Sequence, residues 1–102
     1  MVYRASRTDL KNIVQWLRGR SESQWEDQIS LLSDSIAELS DMAVSMARRE
    51  KARGSEESDL IPLIVAGIHA ATPALEEMLG AMQRRNREAA LEHGEAALEL
   101  LP

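Results

Sequence analysis

The fold is decided by residues 24–53, which read QWEDQISLLSDSIAELSDMAVSMARREKAR. Their apolar members recur at alternating steps of four and three positions, which aligns them along one side of a helix for three heptads. These residues are Trp25, Ile29, Leu32, Ile36, Leu39, Ala43 and Met46. We therefore predict one long central helix over about residues 22–52, against which the rest of the chain packs.

The composition of the chain indicates an all-α fold. The 102 residues suffice for one domain, so we predict a single helical domain over residues 1–102. Only 3 % of the residues are aromatic and there is no Phe, so the core consists of aliphatic side chains, a mixture that suits helices better than sheets. No run alternates polar and apolar residues as a strand does. The absence of Cys excludes disulfides and thiolate ligands.

The chain before the long helix predicts one short helix. Residues 1–7 are expected to form an extended arm. Thr8 or Asp9 then caps the first helix, because both residue types accept hydrogen bonds from free N–H groups at a helix start. The apolar residues that follow have helical spacing. They are Leu10, Ile13, Val14 and Leu17.

The chain after the long helix predicts two or three more helices, and the whole is a small bundle of four to five. Residues 60–71 are apolar nearly all round, and a helix without a polar face has to be covered on several sides. Thr72-Pro73 is typical either of a new helix or of a proline within a continuous one. The spacing leaves open whether residues 73–101 form one helix or two, split near Asn86.

Two features of the sequence predict a homodimer. The central helix is about 45 Å long, whereas a compact chain of this size is only about 33 Å across. The apolar segment 60–82 also exceeds what a small monomer can cover. Whether the two apolar seams pair within a chain or between chains is left open. The predicted interface residues are Trp25, Ile29, Leu32, Ile36, Leu39, Ile64, Ile68, Leu75 and Leu79.

No spacing in the chain predicts a catalytic, cofactor-binding or metal site, so we do not expect an enzyme. The five glycines are never close together, which excludes phosphate-binding loops of the common kinds. His69 lies among apolar residues and is a possible ligand or base together with Glu76 or Glu77. A hydrogen-bonded histidine without a catalytic role explains it as well. A small metal- or ligand-binding enzyme that uses His69 is therefore kept as one alternative.

A nucleic-acid-associated regulator is the second alternative, because basic residues are concentrated near the N-terminus. Against it, the net charge of the chain is −5, whereas nucleic-acid readers are usually basic overall or along one face. We therefore do not expect nucleic acid as a partner. The basic residues of this region are Arg4, Arg7, Lys11, Arg18 and Arg20.

The favoured function is a small helical protein–protein interaction module that acts as a homodimer, as an adaptor, chaperone-like subunit or inhibitor. Between Glu22 and Ala47 there are six acidic residues and no basic one, which suits docking on a basic protein surface. The longest uncharged run, residues 60–75, is shorter than the about 20 apolar residues that span a bilayer. We therefore expect no membrane partner. The lack of Cys is compatible with a reducing cytoplasm, and we expect a cytoplasmic location.

Overall fold

The described residues of the chain are helical throughout their length except at short connections. A computed structural model describes the backbone of residues 2–19, 22–53 and 60–101, and the side chains of residues 6–19, 22–49 and 62–101. Within these residues there are four helices, and the all-α prediction is confirmed. They are α1 (Val2–Arg18), α2 (Trp25–Arg53), α3 (Leu60–Gln83) and α4 (Arg87–Leu100).

The four helices form an elongated bundle. Helix α2 packs against α1 and α3, and α4 packs against the same two helices, so α1 lies diagonally opposite α3. The molecule measures 49 × 20 × 18 Å, and its long dimension follows the two longest helices, α2 and α3. The prediction that the central helix is longer than a compact chain of this size is therefore correct. The protomer accommodates this helix by being elongated along it.

The core is built on two apolar seams that face each other within one chain. The α2 seam is the predicted one, although Ile29, Ile36 and Met46 are only partly buried in it. The α3 seam has the same alternating steps of four and three. Its members are Ile64, Ile68, Ala71, Leu75, Met78 and Met82. Both seams belong to a single hydrophobic core, so the α2 seam and the α3 seam pack against each other within one chain.

The predicted boundaries of the first two helices need correction. Residues 2–7 belong to α1, so the extended arm is wrong for them. Ser6 explains the error: it lies one turn before Leu10, is fully buried, and donates a hydrogen bond to Glu38 Oε1 at 3.0 Å. A polar residue on the buried side hides the helical period. The central helix begins at Trp25 rather than at residue 22, because Gln24 has a φ of 71°, outside the helical region.

The chain beyond residue 60 forms two helices, and the first of them continues through Pro73. Helix α3 is unbroken from Leu60 to Gln83, so Thr72-Pro73 does not start a new helix. The hydroxyl of Thr72 donates to the carbonyl of Ile68 at 2.7 Å. This bond lies in the turn that Pro73 disturbs, where the carbonyl of His69 has no N–H of residue 73 to accept from.

Asn86 separates α3 from α4. The N–H groups of Arg85 and Asn86 donate to the carbonyls of Met82 and Ala81 at 3.0 and 2.8 Å, the paired bonds of a Schellman motif. Arg85 has the left-handed φ of 59° that this motif requires. The side chain of Asn86 then accepts a hydrogen bond from the N–H of Ala89 and caps α4. The split near Asn86 is therefore the correct alternative.

We expect Asn86→Ala to lower the free energy of unfolding by about 1 kcal/mol, because it removes the N-cap of α4. Chemical denaturation followed by circular dichroism measures the change. Asn12→Ala is the matched control, since Asn12 is exposed within α1 and alanine favours a helix interior. Equal destabilisation by the two substitutions would contradict the capping role.

Candidate interaction surfaces

The predicted interface residues lie mainly inside the core of a single chain. Three of the nine, Ile29, Ile36 and Leu79, are partly buried. The other six are at most 9 % exposed, so a contact between two folded copies has to use other residues. These six are Trp25, Leu32, Leu39, Ile64, Ile68 and Leu75.

Helices α2 and α3 extend beyond the part of the bundle in which four helices pack together. Gly94 of α4 lies against Met78, and α4 ends six residues later, so its end reaches about the level of Thr72 in α3. Ser6 of α1 bonds Glu38, and α1 begins four residues earlier, at about the level of Met42 in α2. Residues 43–53 and 60–71 therefore form a projecting hairpin about 16 Å long.

The projecting hairpin exposes apolar side chains that the chain itself does not cover. Leu63 is 60 % exposed and Val44 is 48 % exposed. Ala66 and Ala70 are exposed as well. The expectation that residues 60–71 are covered on several sides is thus not met within one chain. Exposed apolar surface of this kind, at the free end of a bundle, is typical of a surface that meets another protein.

One strip of this surface continues the side of α3 on which α4 packs. Leu63, Gly67, Ala70 and Ala74 follow at steps of four, three and four, and Met78 comes four residues later, so all five share one side of the helix. Met78 is fully buried beneath Gly94 of α4, and Ala74 is partly buried. We call this continuation, in which Leu63 and Ala70 are exposed and Gly67 is partly buried, the α3 ledge. It lies where a longer α4 would have continued.

The opposite end of the bundle is closed by an aromatic cluster. Trp16 and Trp25 form an edge-to-face pair with their ring centroids 4.8 Å apart. The Arg87 guanidinium lies 5.3 Å from the centroid of Trp16 and 5.0 Å from that of Trp25, and Arg85 lies 5.3 Å from that of Trp25. Such distances are within the range of cation–π attraction. The cluster joins the end of α1 to the starts of α2 and α4.

An open cleft lies beside this cluster, and it is lined by two arginines, both of which form ion pairs, and by two glutamates. Arg87 donates to the carbonyl of Leu17 at 2.8 Å and lies 3.5 Å from a carboxylate oxygen of Glu22. Arg18 forms an ion pair with Glu95. The cleft therefore has no excess of one charge to attract an ionic ligand. Its lining residues are Leu17, Arg18, Glu22, Arg87, Glu88 and Leu91.

Arg7, Lys11 and Arg18, the basic N-terminal residues with described side chains, follow at steps of four and seven and therefore share one side of α1. Arg18 is paired with Glu95, and the Nε of Arg7 is buried without a hydrogen-bond partner. Lys11 is exposed. The side chains of Arg4 and Arg20 lie outside the described residues. The nucleic-acid alternative stays a prediction, since the described cations on this side of α1 include one that is paired, Arg18, and one whose Nε is buried, Arg7.

His69 is exposed on α3. Glu76 is exposed too, and it lies seven residues further along the helix, about 10 Å along the axis. Over the described residues, no group of three or more His, Asp or Glu side chains is arranged to hold a metal ion.

The α3 ledge could not be recognised from the sequence, because the spacing of Leu63 matches that of the covered residues in α3.

Comparison of the chain with protein-family models, with curated proteins and with solved structures found no match. The fold therefore defines the class of the protein as an all-α helical bundle with a projecting hairpin. In the part of the chain that the structure describes, no helix combines the length and the apolar character needed to cross a membrane.

Proposed function

We propose that this chain is a protein–protein interaction module whose α3 ledge binds an amphipathic helix of another protein. The 60 % exposure of Leu63 carries this proposal, because more than half of a large apolar side chain on a helix is left open to solvent. Roles as an adaptor, as a chaperone-like subunit or as an inhibitor all fit such a surface. The absence of enzymatic activity and the cytoplasmic location stay predictions.

Two features of the ledge favour a helix as its occupant. The ledge extends the side of α3 on which α4 already packs, so the same ridge-and-groove geometry is available to a second helix in line with α4. Gly67 and Ala70 are small, which permits the close approach of another backbone. Recognition of a helix in an apolar groove is a recurrent mode of peptide binding.

The charge of the ledge defines the chemistry of the partner. Residues 60–75 contain no acidic side chain and no Lys or Arg. The partner helix is therefore expected to present small and aliphatic side chains, and its binding should depend little on salt. This dependence separates the proposal from the nucleic-acid alternative, because binding to phosphates weakens steeply as salt rises.

The test uses a synthetic helical peptide of about four turns with Ala and Leu along one face, titrated into isotope-labelled protein. We expect amide chemical-shift changes at residues 62–74. Leu63→Asp should weaken the affinity for the peptide at least about tenfold, because a leucine that the bound peptide buries contributes about 1.5–3 kcal/mol. The same substitution should leave the free energy of unfolding of the free protein unchanged within about 0.5 kcal/mol.

Val44→Asp is the matched control, since it introduces the same charge at the other large exposed side chain of the projecting hairpin and should retain peptide binding. Shift changes that map outside α3, or equal losses of affinity in the two variants, would refute the role of the ledge.

A further inference from the structure

The outward side of α2 carries a second, independent surface, which begins within the four-helix part of the bundle and continues onto the projecting hairpin. Ala37, Asp41, Val44 and Arg48 follow at steps of four, three and four, so they share one side of the helix, and all four are exposed. We call this set the outer stripe. Among the described residues, neither Asp41 nor Arg48 takes part in an ion pair. Val44, 48 % exposed, lies between the two opposite charges.

This pattern is self-complementary. We propose that the outer stripe pairs with the outer stripe of a second copy of this chain, with the two α2 helices antiparallel and a twofold axis near Val44. Asp41 precedes Val44 by three residues and Arg48 follows it by four. An antiparallel pairing about Val44 therefore brings Asp41 of each copy to Arg48 of the other, and the twofold axis makes this ion pair twice.

The charges also select the direction of the pairing. In a parallel arrangement Asp41 would face Asp41 and Arg48 would face Arg48, and such like-charge contacts are unfavourable. In the antiparallel arrangement the two Val44 side chains meet at the centre, where each covers the apolar surface of the other. Ala37 is small enough not to hold the two helices apart.

A second copy fits this surface better than a partner with charge of one sign. A strongly basic or acidic partner would leave either Arg48 or Asp41 facing a like charge, whereas the same stripe reversed satisfies both. The outer stripe lies on α2 and the ledge lies on α3. The dimer therefore goes beyond the proposed function and can form whether or not the ledge binds a helix.

The size and composition of the contact predict a weak, salt-sensitive dimer. The stripe covers about three helical turns, and contacts of this extent are at the low end of specific interfaces. We expect a dissociation constant in the micromolar range, and a weaker dimer at about 0.5 M salt than at about 0.05 M, because exposed ion pairs are screened.

Charge reversal tests the pairing by analytical ultracentrifugation at about 1–500 µM protein. Asp41→Arg and Arg48→Asp should each weaken dimerisation at least about tenfold, because each replaces two attractive contacts by two repulsive ones. The double variant that carries both substitutions should restore it to within about threefold of the wild-type constant, since the exchanged charges are again complementary.

Asp27→Arg is the matched control, because Asp27 is exposed on α2 but lies fourteen residues before Asp41. It should dimerise as the unsubstituted chain does. The proposal is overturned if the unsubstituted chain sediments as an 11.4 kDa species throughout, or if the double variant fails to recover. Leu63→Asp should retain the dimer, which keeps failure of this proposal distinct from failure of the ledge.

Discussion

Replacing Gly94 with leucine is expected to lower the free energy of unfolding by about 3 kcal/mol, because α4 touches both of its neighbours at this position. A Cβ atom at residue 94 would lie 2.9 Å from Met78 Cε of α3 and 3.0 Å from Val14 Cγ2 of α1. Both side chains are buried, and valine cannot move aside by bond rotation as methionine can. The added side chain therefore has to push α4 away from two helices at once.

The loss extends beyond residue 94, because small residues line the whole buried side of α4. Ala90, Gly94 and Ala97 face the core, and their size permits the close packing of α4 on α3. Separation of the helices would remove these contacts together. For a chain of this length we expect a decrease in melting temperature of more than about 10 °C.

Gly80→Leu is the matched control, since it also replaces a helical glycine. The nearest atom to a Cβ at residue 80 is Arg84 Nη1 at 3.4 Å, an ordinary contact with a flexible side chain. We expect this variant to keep its stability or to gain up to about 1 kcal/mol, because glycine is unfavourable within a helix. Similar thermal denaturation curves for the two variants would show that α4 does not depend on a close approach at Gly94.

Replacing Arg87 with alanine is expected to lower the free energy of unfolding by about 2 kcal/mol, because one side chain joins three helices. Its guanidinium donates to the carbonyl of Leu17, which belongs to the last turn of α1 and has no partner within that helix. A charged donor of this kind contributes about 1.5–3 kcal/mol. The guanidinium also lies over Trp16 and Trp25, and its side chain is only 18 % exposed.

Arg85→Ala provides the comparison, since Arg85 also lies over Trp25 and pairs with Glu26 at 2.7 Å. Its side chain is 45 % exposed and that of Glu26 is 82 % exposed, so water screens this pair. We expect a loss below about 1 kcal/mol. Near-ultraviolet circular dichroism of the tryptophan pair should change in Arg87→Ala and persist in Arg85→Ala. The reverse order of effects would contradict the joining role of Arg87.

The apolar spacing predicts the helices well, but it does not predict what covers them. The spacing predicts the α2 seam from Trp25 to Met46 correctly, because heptad spacing reports which side of a helix is apolar. The same spacing occurs whether the neighbouring helix belongs to the same chain or to another. The seam therefore suggested a dimer interface, and packing against α3 accounts for it within one chain.

Two local features were hidden because their neighbours in space are remote in the chain. Ser6 breaks the apolar period of α1, and its role depends on Glu38, thirty-two residues away. Gly94 looks unfavourable within a helix, and its reason is the approach of Met78 and Val14. Neither contact can be inferred from residues close in sequence.

Spacing and composition alone are enough to establish an all-α chain and the long α2 helix, because these depend on interactions within a few residues. Three-dimensional packing was needed to establish at which level of α2 helix α1 begins and at which level of α3 helix α4 ends. That relation leaves the projecting hairpin with an exposed Leu63 and an exposed Val44. Exposure of a side chain depends on which helices reach it, and this is a property of the whole arrangement rather than of any one segment.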